Sequence, residues 1–163
     1  FKENMTLSMK VRAEELGMSQ LEIITLASII EGEAIYDDER ATISAVYHNR
    51  LEKGMRLQAD PTIQYIIEGG PRRLLNEDLK IESEYNTYLN SGLPPGPINN
   101  PGKESIIAAL YPAVNDYIYF VARGDGYHTF SKTKKEHNRA KRRFQEVRRR
   151  VRQEKKNTKA EGL

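Results

Sequence analysis

The chain has no cysteine among its 163 residues, which excludes a disulfide framework and thiolate metal sites while leaving the compartment open. Histidine is scarce: His48, His128 and His137 are the whole complement. None of them has the H-E-x-x-H spacing of a zinc site, so no metal is expected. No apolar run reaches the length of a membrane span, and no signal peptide is visible. The turn Gly124-Asp125-Gly126 lacks both the G-x-x-x-x-G-K-[ST] pattern and a helix directly after it, which excludes a phosphate-binding loop.

What is present describes a globular protein. Hydrophobic residues make up 38% and charged residues 30%, and the length suits one domain with a real core. The net charge of +3 conceals an asymmetry. Residues 1–138 carry 15 Lys/Arg against 20 Asp/Glu, a balance of −5, whereas residues 139–163 carry 11 against 3, a balance of +8. The basic character therefore belongs to the tail and not to the body, which argues against a nucleic-acid enzyme. The chain starts at Phe1, and the expectation is a part excised from something longer.

Spacing and punctuation predict a mainly helical chain. A first helix is expected from about Glu3 to Leu16, stopped by Gly17. Ser19 with Glu22 forms a capping box that opens a second helix, apolar on nearly every side through Leu21, Ile23, Ile24, Leu26, Ile29 and Ile30. Asp37 or Asp38 is expected to cap a third, with Ile43, Val46, Tyr47 and Leu51 inward and Gly54 as its end. Asp60-Pro61 reads as an N-cap followed by proline at the first helical position, opening a short helix through Ile67. Prolines and glycines exclude regular structure from most of residues 85–102. Tyr85, Tyr88, Leu93 and Ile98 give that loop anchoring groups, which favours the wall of a site over a linker. A helix over Ser105 to Leu110 follows, then a hairpin around Gly124-Asp125-Gly126. A last helix capped by Thr133 and Glu136 is expected to fray near Lys156.

The chemistry concentrates at the end of the second helix, in Leu26-Ala27-Ser28-Ile29-Ile30-Glu31-Gly32-Glu33-Ala34. A carboxyl beside apolar surface is costly to ionise and holds its proton near neutral pH, as a general acid for glycosidic cleavage must. Residues two apart on a helix diverge, so only one of Glu31 and Glu33 can face a cleft. Asp60 is the nearest candidate for a second carboxylate, but its neighbour Pro61 favours a capping role. A mechanism with one carboxylate suits these residues better. Gln58, Asn86, Asn49, Tyr88 and Tyr119 are groups of the kind that hold a sugar, through amides to hydroxyl and acetamido groups and through aromatic faces on pyranose rings. His128 reads as a solvent-facing strand residue with a catalytic base as the alternative, and Arg148-Arg149-Arg150 as a solvated helix end with an anionic polymer as the alternative.

Several segments in series resemble the catalytic domain of the MltG/YceG-like family of endolytic murein transglycosylases. They are L-A-S-I-I-E-G-E-A from Leu26 to Ala34, Tyr47-His48-Asn49-Arg50-Leu51, and Gly54-Met55-Arg56-Leu57-Gln58-Ala59-Asp60-Pro61-Thr62. Tyr85-Asn86-Thr87-Tyr88, Gly92-Leu93-Pro94-Pro95-Gly96-Pro97-Ile98, and Tyr119-Phe120-Val121 with His128-Thr129-Phe130 complete the set.

The resemblance implies an α+β fold, a mainly helical lysozyme-like catalytic domain with a β-hairpin. It implies cleavage of the bond between N-acetylmuramic acid and N-acetylglucosamine within glycan strands, leaving 1,6-anhydro ends. One Glu serves as acid and then as base. Glu33, followed by the small residue Ala34, is the implied catalytic residue and Glu31 the second candidate. Gln58, Asn86, Tyr88, Asn49 and Tyr119 are the implied substrate-binding groups.

Residues 1–18 are expected to join an upstream module, 19–145 to form the catalytic domain and 146–163 to be a basic helix end and disordered tail. No cofactor, metal or nucleic acid is expected. The implied partners are peptidoglycan strands and wall-synthesis enzymes, on the outer face of the cytoplasmic membrane, with attachment through an N-terminal helix absent from this chain. The alternatives are a non-catalytic glycan-binding module, a nucleic-acid binder acting through the tail, and a pyridoxal-phosphate lyase using Lys53 or Lys103.

Overall fold

The computed structural model describes residues 5–162, apart from the side chain of Glu161. Within the segment expected to fold as one catalytic domain, the chain divides into two compact units, Phe1–Asn115 and Asp116–Leu163. The class is α+β and mainly helical: six α-helices and one two-stranded antiparallel sheet among the described residues.

In the first unit, α1 spans Leu7–Glu15 behind Thr6, whose hydroxyl accepts the Met9 N–H at 3.3 Å. The expected start near Glu3 lies outside the described residues, but the helix begins later than expected, because Met5 and Thr6 are not helical and Thr6 is its cap. Helix α2 spans Gln20–Glu33, and its capping box forms: Ser19 Oγ accepts the Glu22 N–H at 3.1 Å, and the Glu22 carboxylate accepts the Ser19 N–H at 2.8 Å. Ile23 through Ile30 are all buried, with Leu26, Ile29 and Ile30 fully so. Each of those three stabilises the fold by roughly 1.5–3 kcal/mol relative to exposure. This helix is the centre of the unit, packed against α1 and three further helices: α3 (Arg40–Glu52), α4 (Asp60–Ile66) and α5 (Lys103–Leu110).

Two helix caps differ from expectation. Asp37 and Asp38 form a single 3-10 turn, Asp37–Glu39, ahead of α3, and the Asp37 carboxylate accepts from Arg40 Nε at 2.8 Å instead of capping. At α4 the N-cap is Ala59, with no side-chain cap, and Asp60 is the first helical residue. Proline at the next position already removes one N–H that a cap would serve. The Asp60 carboxylate is thereby free for other use.

The irregular stretch 85–102 is an ordered wall. The Ile98 N–H donates to Ser28 Oγ at 3.0 Å and the Asn99 amide to the Ser28 carbonyl at 2.8 Å, which straps the loop to the middle of α2. At its other end Tyr85 packs against Tyr65 of α4 with ring centroids 4.9 Å apart.

In the second unit, β1 (Tyr119–Ala122) pairs with β2 (His128–Ser131), Tyr119 opposite Ser131 and Ala122 opposite His128. The Arg123 N–H to Tyr127 carbonyl bond, 2.9 Å, closes the turn. Helix α6 spans Lys134–Glu161 from a Thr133 cap and packs its early turns on both strands. It does not fray near Lys156 as expected. Apart from Val151, Asn157 and Thr158, its far end is Arg, Gln, Glu, Lys and Ala, strong helix formers that need little tertiary help.

One backbone approach shapes the first unit. A Cβ added at Gly32, in the last turn of α2, would lie 2.7 Å from Pro61 Cβ and 2.9 Å from its Cγ. Glycine to alanine at an exposed helical position ordinarily gains about 1 kcal/mol. Here Gly32→Ala is expected to lose about 1–3 kcal/mol through overpacking, read as a lower urea midpoint. A stabilised variant would show that Pro61 does not constrain the end of α2.

Candidate active site

Three successive residues close α2, and a helix turns about 100° per residue, so they meet three different surroundings. The Glu31 carboxylate accepts from Ser105 Oγ at 2.5 Å, from Arg40 at 3.2 Å and from the Gly102 N–H at 3.4 Å. Glu31 thus ties α2 to the start of α5 and to α3. Gly32 admits Pro61. Glu33 turns the other way, toward Tyr47 of α3, whose hydroxyl donates to its Oε1 at 2.8 Å.

Glu33 keeps partial exposure, yet protein atoms crowd its carboxyl on most sides. That burial, more than any other cause, pushes its pKa up from 4.5 to about 7; the Tyr47 hydrogen bond opposes the rise and the charge of Asp60 adds to it. No cation lies within ion-pair distance of Glu33 among the described residues. The environment therefore favours the neutral acid. Burial, followed by the charge of Glu33 and its hydrogen bond, likewise holds the Tyr47 phenol well above its ordinary value.

Asp60 completes the group. Tyr88, in the irregular wall, donates its hydroxyl to Asp60 Oδ1 at 2.5 Å. Burial first, then the nearby Asp60 charge, keeps that phenol protonated far above its usual range. Arg50, buried on α3, donates to the Arg56 carbonyl at 2.8 Å and acts electrostatically on both tyrosines. Thr87 fixes the wall to the start of α4: its Oγ1 accepts the Ala59 N–H at 2.9 Å, and its carbonyl accepts the Gln58 N–H at 3.2 Å. Gln58 sits at φ +48, a left-handed conformation that costs a non-glycine residue on the order of 1 kcal/mol. Its exposed side chain has no hydrogen bond among the described residues.

The structure thus brings together Glu33, Asp60 and Tyr88, with Gln58 two residues before Asp60. Three expected sugar-binding groups are placed otherwise. Asn86 is fully buried; its amide donates to the Leu79 and Ile81 carbonyls and its oxygen accepts the Tyr88 N–H. It holds Tyr88 in position and has no free edge for a sugar.

Asn49 lies two residues past Tyr47 and so faces elsewhere on α3. It donates to the Asn115 carbonyl at 2.9 Å and, with His48, lines a separate concavity of about 1010 Å³ that includes none of Glu33, Tyr47, Asp60 or Tyr88. Tyr119 belongs to the second unit, where its ring stacks on His137 at 4.9 Å. Tyr47 emerges as a site residue although its helical spacing marks it only as core; the available signal was a phenol, with a polar tip, at a fully buried position. Among the described residues no cluster of three or more His, Cys, Asp or Glu can hold a metal ion.

Residues 1–143 match the model of the YceG-like family. The chain belongs to the YceG-like family. It is 49% identical over 122 residues to an endolytic murein transglycosylase of Bacillus subtilis (strain 168), covering 75% of this chain and 34% of that protein. It is 37% identical over 107 residues to an endolytic murein transglycosylase of Streptococcus pneumoniae serotype 2 (strain D39), covering 62% of this chain and 19% of that one. The crystal structure of a yceG-like protein from Listeria monocytogenes matches with a TM-score of 0.75 at 44% identity, over 82% of this chain and 43% of that chain. This YceG-like chain thus spans about a third of the length of the Bacillus relative.

The raised pKa of Glu33 has a consequence for stability. The folded chain binds this proton more tightly than the unfolded one. The contribution is full below pH 4.5, falls by up to roughly 1.4 kcal/mol per pH unit between 4.5 and about 7, and is flat above that. Glu33→Gln removes the slope, so its unfolding free energy relative to the parent is expected to rise between about pH 5 and about pH 8 in chemical denaturation. A difference independent of pH would count against the raised pKa.

Proposed function

We propose that this chain carries the catalytic centre of an endolytic lytic transglycosylase, cutting the β-1,4 bond between N-acetylmuramic acid and N-acetylglucosamine inside peptidoglycan strands. The observation that carries the reading is Glu33, a carboxyl with its pKa near 7 at the partly exposed end of a buried helix. Membership of the YceG-like family and the names of the transglycosylase relatives support it.

In the first step Glu33 gives its proton to the glycosidic oxygen as the bond from that oxygen to the muramic C1 breaks. In the second, the C6 hydroxyl of the same muramic residue attacks C1 and returns its proton to the Glu33 carboxylate. One bond breaks, one forms, no water is consumed, and a 1,6-anhydro ring results. A pKa near the working pH suits both halves, because the group must first hold a proton and then accept one. The Tyr47 hydroxyl orients the carboxyl and stabilises it while it is ionised. On this reading the Asp60 charge, near enough to raise the Glu33 pKa, favours a positive centre forming beside Glu33, and Tyr88 and Gln58 are the neighbouring sugar-contacting groups.

The same reading puts this site on the outer face of the cytoplasmic membrane, with glycan strands as substrate and wall-synthesis enzymes as partners. No helix among the described residues is long and apolar enough to cross a membrane.

Mass spectrometry of purified glycan strands after incubation with the parent and with Glu33→Gln tests the chemistry. Anhydro-muramic ends are expected from the parent, with the variant slower by about a thousandfold. Reducing ends would mean a hydrolase, and strand binding without cleavage would mean a glycan-binding module.

The pH profile supplies a second test. The parent rate is expected to fall as pH rises through about 7. Tyr47→Phe removes the interaction that lowers the Glu33 pKa, so its alkaline limb is expected at higher pH; Asp60→Asn removes a raising charge, so its limb is expected at lower pH. Limbs that stay in place in both variants would separate the profile from Glu33.

A further inference from the structure

Helix α6 has a part that the catalytic reading does not use. Its early turns pack on the hairpin through the buried Ala140 and the half-buried Phe144, whereas residues 148–160 are all exposed. That exposed stretch contains Arg148, Arg152, Lys155 and Lys159, spaced i, i+4, i+7 and i+11, so the four share one face and form a line about 16 Å long. None of the cations from Arg139 to Lys159 is paired with a carboxylate among the described residues.

Directly beside this line lies Val151, 44% exposed, whereas Val147 one turn earlier is turned toward the hairpin with Ala140 and Phe144. Glu146 turns to the far side of the helix. These cations share a surface along the helix with Val151, lined by Arg148, Val151, Arg152, Lys155, Lys156 and Lys159, with Glu154 and Thr158 at its border.

We propose that this distal half of α6 is a docking face for the anionic headgroups of a phospholipid surface. Guanidinium forks and ammonium groups in a line match a plane of phosphates, and each cation near such a surface adds attraction that salt screens. A soluble polyanion needs only the cations. Val151, on the same side and open to solvent, fits the boundary between headgroups and acyl chains, where an amphipathic helix lies flat. The apolar surface is small, so the attraction is mainly electrostatic and reversible. The inference rests on the second unit alone and does not depend on the proposed chemistry of Glu33.

Vesicle co-sedimentation of the full 163-residue chain tests it, using phosphatidylcholine vesicles with and without phosphatidylglycerol. Binding is expected only to the anionic vesicles, and salt near 0.5 M is expected to release it, because the Debye length is then only a few Å. The combined variant Arg148→Gln, Arg152→Gln, Lys155→Gln and Lys159→Gln is expected to bind on the order of a hundredfold more weakly. Glutamine is a comparable helix former, so unchanged far-UV circular dichroism confirms that the helix persists. Val151→Ser is expected to weaken vesicle binding by roughly three- to tenfold without changing binding to a soluble polyphosphate chain. Equal binding to neutral vesicles overturns the proposal. So does an unaltered vesicle affinity in the valine variant, which would assign the face to a soluble polyanion. Salt-sensitive self-association without vesicle binding would assign it to a second copy of this chain.

Discussion

The close approach of Pro61 to the bare backbone of Gly32 governs the arrangement of the first unit, because it sets the start of α4 against the last turn of α2. A side chain there would push the two helices apart, and Asp60, Gln58 and the wall residue Tyr88 would move with α4. The contact works because α2 itself cannot yield. Its middle is buried on every side, and the Ser28 backbone and hydroxyl hold the loop that returns along it. A rigid helix end with a missing side chain is a fixed point from which the other groups are measured.

The two carboxylates flanking that glycine show how environment divides roles between identical side chains. Glu31 faces a serine hydroxyl, a guanidinium and a backbone N–H, all donors to an anion. Glu33 faces one phenol and a second carboxylate, in a crowded setting with no cation ion-paired to it among the described residues. The first arrangement stabilises charge and joins three helices. The second penalises charge and leaves Glu33 a proton held near neutral pH.

Much of this was legible along the chain. The capping box of α2, its all-round apolar character, the hairpin turn and the irregular wall each rest on local rules that tertiary packing did not overrule. The choice between Glu31 and Glu33 was legible only through family resemblance, since periodicity says that the two diverge without saying which meets a cleft. Asp60 was misread because an Asp-Pro pair at a helix start is commonly a cap. The chain instead starts α4 one residue earlier and sends that carboxylate to Tyr88. Asn86 and Asn49 have the right chemistry for a sugar, but their amides are engaged by backbone carbonyls that no local pattern reveals.

By itself the sequence determined the order of the helices, which of them is central and that two acids close it, because these follow from interactions within a few residues. Only the tertiary structure decided what each acid faces. Tyr47 is 14 residues from Glu33 in sequence, and Tyr88 is 28 from Asp60. The pKa of a carboxyl depends on the charges and protein atoms around it in space, and these come together only when α2, α3, α4 and the wall have packed.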